Sequence, residues 1–127
     1  MTSFAAERAS IEGRLSSNWT TTAIAYDNVD FDAVTGVEWI RLTILPAETN
    51  YRALEAKKRF NGIISIQIFS PRNKGTATIR TYADTLSGIF VDQKFDDVVC
   101  RSASITSVAQ LSEWHQINLN IPFWRDS

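Results

Sequence analysis

The chain predicts an α+β fold: a largely antiparallel or mixed β-sheet with two helices packed on one face, in the order α-β-β-β-α-β-β. Three patterns carry that prediction. Residues 62–70 (GIISIQIFS) and 113–127 (EWHQINLNIPFWRDS) alternate with a period of two, which marks strands with one face in a core. Ile79, Tyr82, Ala83, Leu86, Ile89 and Phe90 recur at i, i+3, i+4, i+7, i+10 and i+11, the spacing of an amphipathic helix. Hairpin-like neighbouring strands, with helical segments set between and before them, fit a sheet that carries its helices on one side.

In chain order, residues 3–17 read as a helix. Phe4, Ile11 and Leu15 share one stripe, Arg8 and Glu12 form an i, i+4 pair on the wetter side, and Asn18 is the stop. Residues 23–26 read as a short strand ended by the turn signal Asp27-Asn28. Residues 37–45 read as a strand with Ile40, Leu42 and Ile44 on one face, ended by Pro46 because proline donates nothing to a ladder. Residues 47–60 fit either a short helix or two ragged strand ends around a long loop. The strand at 62–70 puts Ile64, Ile66 and Ile68 on one face and ends at Pro71. Thr76 after Gly75 is a good N-cap for the second helix. Residues 95–109 read as a looser strand with Val98, Cys100 and Ile105, and residues 110–113 turn into the last strand.

The 127 residues fit one domain, residues 1–127, which needs neither disulfide nor metal to fold. A formal net charge of -1 argues against generic DNA or RNA binding, for which a strongly basic domain is expected. The single cysteine, Cys100, excludes an intrachain disulfide and favours an intracellular origin or a virion component made in a reducing cytosol. Glu7, Arg8 and Glu12 break the pattern of a signal peptide, and no apolar run approaches the roughly 20 residues of a membrane span.

Catalytic and metal signatures are sparse. His115 is the one histidine and sits on the predicted apolar face of the last strand, where a structural role is the simplest reading. Cys100 reads as a buried small hydrophobe. Asp27, Asp30 and Asp32 lack the spacing and distal glutamate of a calcium loop, and Gly75-Thr76 lacks the rest of a phosphate loop. The expectation is therefore a protein that is not an enzyme, with no cofactor, metal or catalytic residue.

The last strand points to assembly instead. Its core side is His115, Ile117, Leu119, Ile121 and Phe123. Between Glu113 and Arg125 its other side carries only amides, Pro122 and flanking Trp114 and Trp124. A neutral face can be covered without stripping water from a charge. Trp114, Asn118, Asn120, Trp124 and Arg125 are thus candidates for a subunit or partner interface. Lys57, Lys58 and Arg59 form a basic segment suited to an acidic patch such as Asp96 and Asp97 on a neighbour, or less readily to phosphates. Coverage of the tryptophans by a helix of the same subunit fits the pattern equally well.

Several segments, in order, carry a family resemblance: FAAERASIEGRLSSNW followed by TAIAYDN, then WIRLTILP, GIISIQIFSPRNKGTATIRTYAD and WHQINLNIPFWRD. Together they resemble the tail terminator-like, or tail completion, proteins of long-tailed bacteriophages, over nearly the whole chain. The resemblance implies an α+β fold with a mixed sheet and a structural virion protein of the tail, assembled in the host cytoplasm. It implies a ring, typically a hexamer, on the head-proximal end of the tail tube. That ring stops tube growth and meets the head-completion proteins. It further implies contacts with the tail tube protein, no cofactor, no membrane, and DNA passing through the lumen without specific binding. A ring needs a head-to-tail interface in which two different patches meet. A head-closure or head–tail connector adaptor is the neighbouring alternative, and a small nucleic-acid-binding module a more remote one.

Overall fold

The computed structural model describes residues 3–27, 29, 31–32, 36–52, 57–71, 77–107 and 114–126. Among them, two helices and seven strands follow the predicted order, with the C-terminal strand region divided more finely. Helix α1 is Phe4–Asn18 and α2 is Ala77–Phe90; the strands are β1 Ala23–Tyr26, β2 Trp39–Arg52, β3 Lys57–Pro71, β4 Lys94–Phe95, β5 Val98–Cys100, β6 Ser104–Ser107 and β7 Trp114–Asp126. All seven strands join one mixed sheet in the order β1-β2-β3-β7-β5-β4, with β6 also on β7.

Long alternating segments become the centre of the sheet because they can bury one face along their full length. β3 pairs antiparallel with β2 on one side and with β7 on the other, from Arg59 opposite Asp126 to Pro71 opposite Trp114. β1 is the exception in sense: it runs parallel to β2, from Ala23 opposite Trp39 to Tyr26 opposite Leu42. On its far side β7 takes two short partners, β6 at Ile117 to Asn120 and β5 at Phe123 and Trp124.

The core lies between one sheet face and both helices. Ile40, Leu42, Ile64, Ile66, Ile68, Ile117, Leu119, Ile121 and Phe123 meet Ile11 and Leu15 of α1 and Ile79, Ala83, Leu86, Ile89 and Phe90 of α2. At about 1.5–3 kcal/mol for each fully buried large aliphatic or aromatic side chain, this layer dominates the stabilisation. α2 offers five buried positions, whereas α1 offers Glu7, Ile11 and Leu15, so α1 depends more on its ends. The Ser3 hydroxyl accepts from the Ala6 N–H at 3.0 Å at the N-cap, and the Asn18 amide donates to the Arg14 carbonyl at 2.8 Å in the last turn. Arg8 and Glu12 form the expected i, i+4 pair.

Four expectations change. Pro46 does not end its strand: β2 runs through it to Arg52, with a register irregularity between Pro46 and Thr49. Proline is compatible with a strand at a bulge or where its nitrogen faces an open edge. The ambiguous stretch 47–60 is therefore mostly strand, and its residues 53–56 lie outside the described set. The strand expected at 95–109 is three short strands, β4, β5 and β6, because each pairs with a different stretch of sheet. Phe4, expected on the core stripe, is 62% exposed, and the buried position in that turn is Glu7. The Thr76 cap and the turn at 110–113 fall outside the described residues.

Close packing leaves a mark at Gly62. A Cβ there would lie 2.6 Å from a ring carbon of Phe123 and 3.1 Å from the Leu45 carbonyl oxygen, so β7's ring occupies the space a side chain would take.

Candidate functional site

The sheet face turned away from the helices carries the predicted assembly residues. Cross-strand register places side chains on it in rows. One row is Trp39, Phe69 and Gln116; the next is Arg41, Gln67, Asn118 and Thr106. Then come Thr43, Ser65, Asn120 and Ser104, followed by Leu45, Ile63 and Pro122, and finally Asn61 beside Trp124. These rows follow from the period-two geometry of paired strands. Both helices pack on the opposite face.

The aromatic end of this face is held within the subunit. Trp39 stacks on Phe69 with centroids 4.0 Å apart and planes 9° apart, Phe31 stacks on Trp39 at 4.9 Å, and Trp114 meets Trp39 edge-on at 6.0 Å. The middle is uncharged apart from Arg41, whose guanidinium sits 5.7 Å from the Trp39 ring. Its amides are tied to one another: Gln116 donates to Asn118 at 2.8 Å, and Asn120 donates to the Thr106 hydroxyl at 3.3 Å. Leu45, at 45% exposure, forms an apolar step with half-buried Ile63 and exposed Pro122. At the far end the Arg59 guanidinium lies 3.7 Å over the Trp124 ring and donates to Asp126 at 2.9 and 3.3 Å. That hydrogen bond holds the guanidinium pKa above its ordinary value.

Each predicted site residue can now be placed. Asn118 and Asn120 are half-buried in the middle of the open face, and Trp114 and Trp124 stand half-buried at its two ends. Both tryptophans are partly covered by their own chain, Trp114 by an aromatic cluster and Trp124 by Arg59. Arg125 is different: it is 1% exposed, lies on the helix side, and donates to Glu7 at 2.7 Å. It belongs to the interior, because residue 125 continues the odd-numbered core phase of β7. Phe60 and Phe4 line the same guanidinium at 4.2 and 4.9 Å. Lys58 is exposed, Arg59 is engaged with Asp126 and Trp124, and the side chain of Lys57 lies outside the described set. Of the acidic patch foreseen opposite them, Asp96 already accepts from the Ser10 hydroxyl at 2.6 Å.

His115, foreseen in the core, is half-buried opposite Ser70 and outside the main cluster. Cys100 is buried, and burial pushes its thiol up to about 12, which keeps it protonated and unreactive near neutrality. Among the described residues no group of three or more His, Cys, Asp or Glu is placed to hold a metal ion. No helix among them is long and apolar enough to cross a membrane.

Sequence reasoning missed a groove of about 260 Å³ between α1 and the outer part of β2. Leu42, Ile44 and Pro46 form its floor, with Phe4, Glu12 and Tyr26 on its walls. Burial, with Glu12 nearby, raises the Tyr26 phenol above its usual pKa. No periodicity announces such a feature, because it exists only where β1 stops and β2 continues.

The geometry is that of a sheet with one face in the core and one face covered by neither helix. A solved structure shares the fold with a TM-score of 0.74, covering 100% of this chain and 97% of its own at 19% identity. No curated protein matches by sequence. The family model of the phage tail terminator protein matches residues 8–123, a span that contains both helices almost entirely and the whole described sheet up to Phe123. By that match, the chain belongs to the phage tail terminator protein family and is a structural component of a bacteriophage tail.

Proposed function

We propose that copies of this chain form a closed ring, a hexamer in the simplest case, on the head-proximal end of the tail tube. The ring stops tube growth and presents its other side to the head-completion proteins. The role is structural and non-catalytic, carried out in the virion tail after assembly in the host cytoplasm. One observation carries the reading beyond family membership: the sheet face opposite the helices is wide and covered by neither helix, with Arg41 the one charge in its middle, the Arg59–Asp126 pair at one end and Asp27 at its border. Such a face can be buried against another subunit or the tube with little desolvation of charge. The formal net charge of -1 suits a lumen through which DNA passes without being gripped.

The test is direct. Purified protein is mixed with tail tubes of the same phage and viewed by negative-stain electron microscopy, with sedimentation of the free protein alongside. Rings at one tube end, and tubes that no longer elongate, are the expected result. A chain that remains monomeric at high concentration and never caps tubes overturns the reading. Capture of portal or connector protein in place of tube protein assigns it to the connector instead.

A further inference from the structure

Among the described residues, two of the sheet's open edges, on β2 and on β6, complement each other. β1 covers β2 only as far as Leu42, so from Thr43 onward the outer edge of β2 has no strand beside it among the described residues. Asp27, at the end of β1, accepts from the Thr43 hydroxyl at 3.0 Å and bounds this stretch on one side. Pro46, with no N–H to give, bounds it on the other. The helix side of the same stretch is the groove floored by Leu42, Ile44 and Pro46. Across the sheet, β6 is also four residues long and, among the described residues, pairs only with β7. Its apolar residue, Ile105, lies opposite Leu119, hence on the helix side, yet is 44% exposed.

We propose that Ser104–Thr106 of β6 in one copy add as a strand to residues 43–45 of β2 in the next copy, with Ile105 entering the groove beside Ile44. The proposal rests on the ring reading and gives that ring its subunit contact. Strand sense favours it. β2 and β7 run the same way, both antiparallel to β3, and β6 runs against β7. A sheet continued edge to edge between copies of the same orientation therefore sets β6 antiparallel to β2, a pairing slightly more stable per residue than parallel. Side-chain phase favours it too, because Ile105 opposite Ile44 brings both to the helix side, with Ser104 opposite Leu45 on the open face.

Charge agrees with the same register. Residues 43–47 and 104–107 carry no charge, so the ladder itself strips no ion of water, while Glu7, Arg8, Glu12 and Asp27 border the groove that Ile105 enters. Just beyond, exposed Arg101 of one copy comes about level with exposed Glu48 of the other. The two edges are different surfaces, so the contact repeats from copy to copy and closes into a ring when the rotation allows. Main-chain hydrogen bonds supply the attachment, and the Ile105 pocket supplies the register.

Cross-linking tests the contact. Leu45→Cys and Ser104→Cys change two exposed residues that β3 and β7 separate within one copy, roughly 14 Å at the usual strand spacing, beyond the roughly 7 Å reach of a disulfide. Oxidation of the double variant on tail tubes is expected to give a covalent ladder on a non-reducing gel. Each single variant should give dimers at most. Ile105→Lys in the same background is expected to lower ladder formation at least tenfold while the unfolding midpoint, read by circular dichroism, stays put. Rings without a ladder overturn the strand contact and leave the ring reading standing. A ladder that never caps a tube leaves the contact standing and overturns the ring reading. Neither ladder nor rings overturns both, and an Ile105→Lys chain that cross-links like its parent removes Ile105 from the contact as proposed.

Discussion

The Glu7–Arg125 pair gives the sharpest test of how this fold is held together. Nε of Arg125 lies 2.7 Å from a carboxylate oxygen of Glu7, with side-chain exposures of 1% and 10%. Ring faces of Phe60 and Phe4 line the guanidinium, so little water reaches it. Replacing Glu7 by leucine keeps bulk and removes the carboxylate, leaving a buried cation without it. Such a change costs about 3–5 kcal/mol. Arg125→Met leaves the carboxylate instead. Glu7 sits nearer the surface and can turn toward solvent, so about 1–3 kcal/mol is expected, the cost of an unsatisfied buried polar group. The double variant Glu7→Leu/Arg125→Met removes both charges and keeps an apolar filling. It should return to within about 1 kcal/mol of the parent, or exceed it, as replaced buried pairs often do. The coupling between the two sites is then at least about 3 kcal/mol. Urea unfolding followed by tryptophan fluorescence and far-ultraviolet circular dichroism measures it. With a slope of about 1–3 kcal/mol per molar urea, the Glu7→Leu midpoint falls by more than about 1 M. Costs that add within about 0.5 kcal/mol, or a Glu7→Leu cost below 1 kcal/mol, refute the claim that the two charges hold each other in the interior.

Three further outcomes follow from the packing. Gly62→Ala forces a methyl group against the Phe123 ring and should cost about 1–3 kcal/mol in urea unfolding; a neutral result contradicts the close approach at that crossing. Ile11→Ala, at a fully buried site, should lose about 2–5 kcal/mol, while Phe4→Ser, at a residue 62% exposed, should lose under about 1.5 kcal/mol; equal losses would mean that Phe4 is a core residue after all. Cys100 has its thiol raised from 9.0 to about 12, so the native chain at pH 8 should react with a disulfide reagent on the order of a thousandfold more slowly than the denatured chain. The sign for stability is fixed by the same shift: the unfolded thiol ionises near pH 9 while the folded one stays protonated, so its contribution is full below about pH 8.5 and is lost as pH climbs from 9 toward 12.

The parts of this fold that repeat were legible in the sequence. Alternation located β3 and β7 and the first half of β2, and helical spacing located α2, because in those segments one face is buried along the full length. α1 was placed correctly but phased wrongly at its start. Phe4 looked like core, and the structure exposes it and buries Glu7 instead. The reason is the same pair discussed above: a buried charge is invisible to a hydrophobic pattern unless its partner, 118 residues away, is known. Arg125 was misread for that reason although its odd-numbered position already put it on the core side of β7. The pieces β4, β5 and β6 carry little periodicity of their own, since pairing with β7 or with each other, and not a buried stripe, makes them strands. The open face was legible as the amides of β7; the open edge was not, because an edge is defined by which neighbour stops first.

Both edges are short and guarded. A long, flat, apolar edge polymerises without control. Here Pro46 and the register irregularity after it interrupt β2, and β6 offers only four residues. The open face is mostly hydroxyl and amide, with its apolar area confined to the step at Leu45, Ile63 and Pro122 and to aromatic rings already stacked within the subunit. A contact built from such edges is weak for one pair of copies. In the proposed ring each copy would gain two such contacts, and on a tube it would gain the tube's surface as well, so effective concentration would multiply a weak pairwise bond into a stable cap. In the proposed assembly, short guarded edges are what make the ring depend on its template: the same edge chemistry, lengthened by removing Pro46, would favour filaments over a cap.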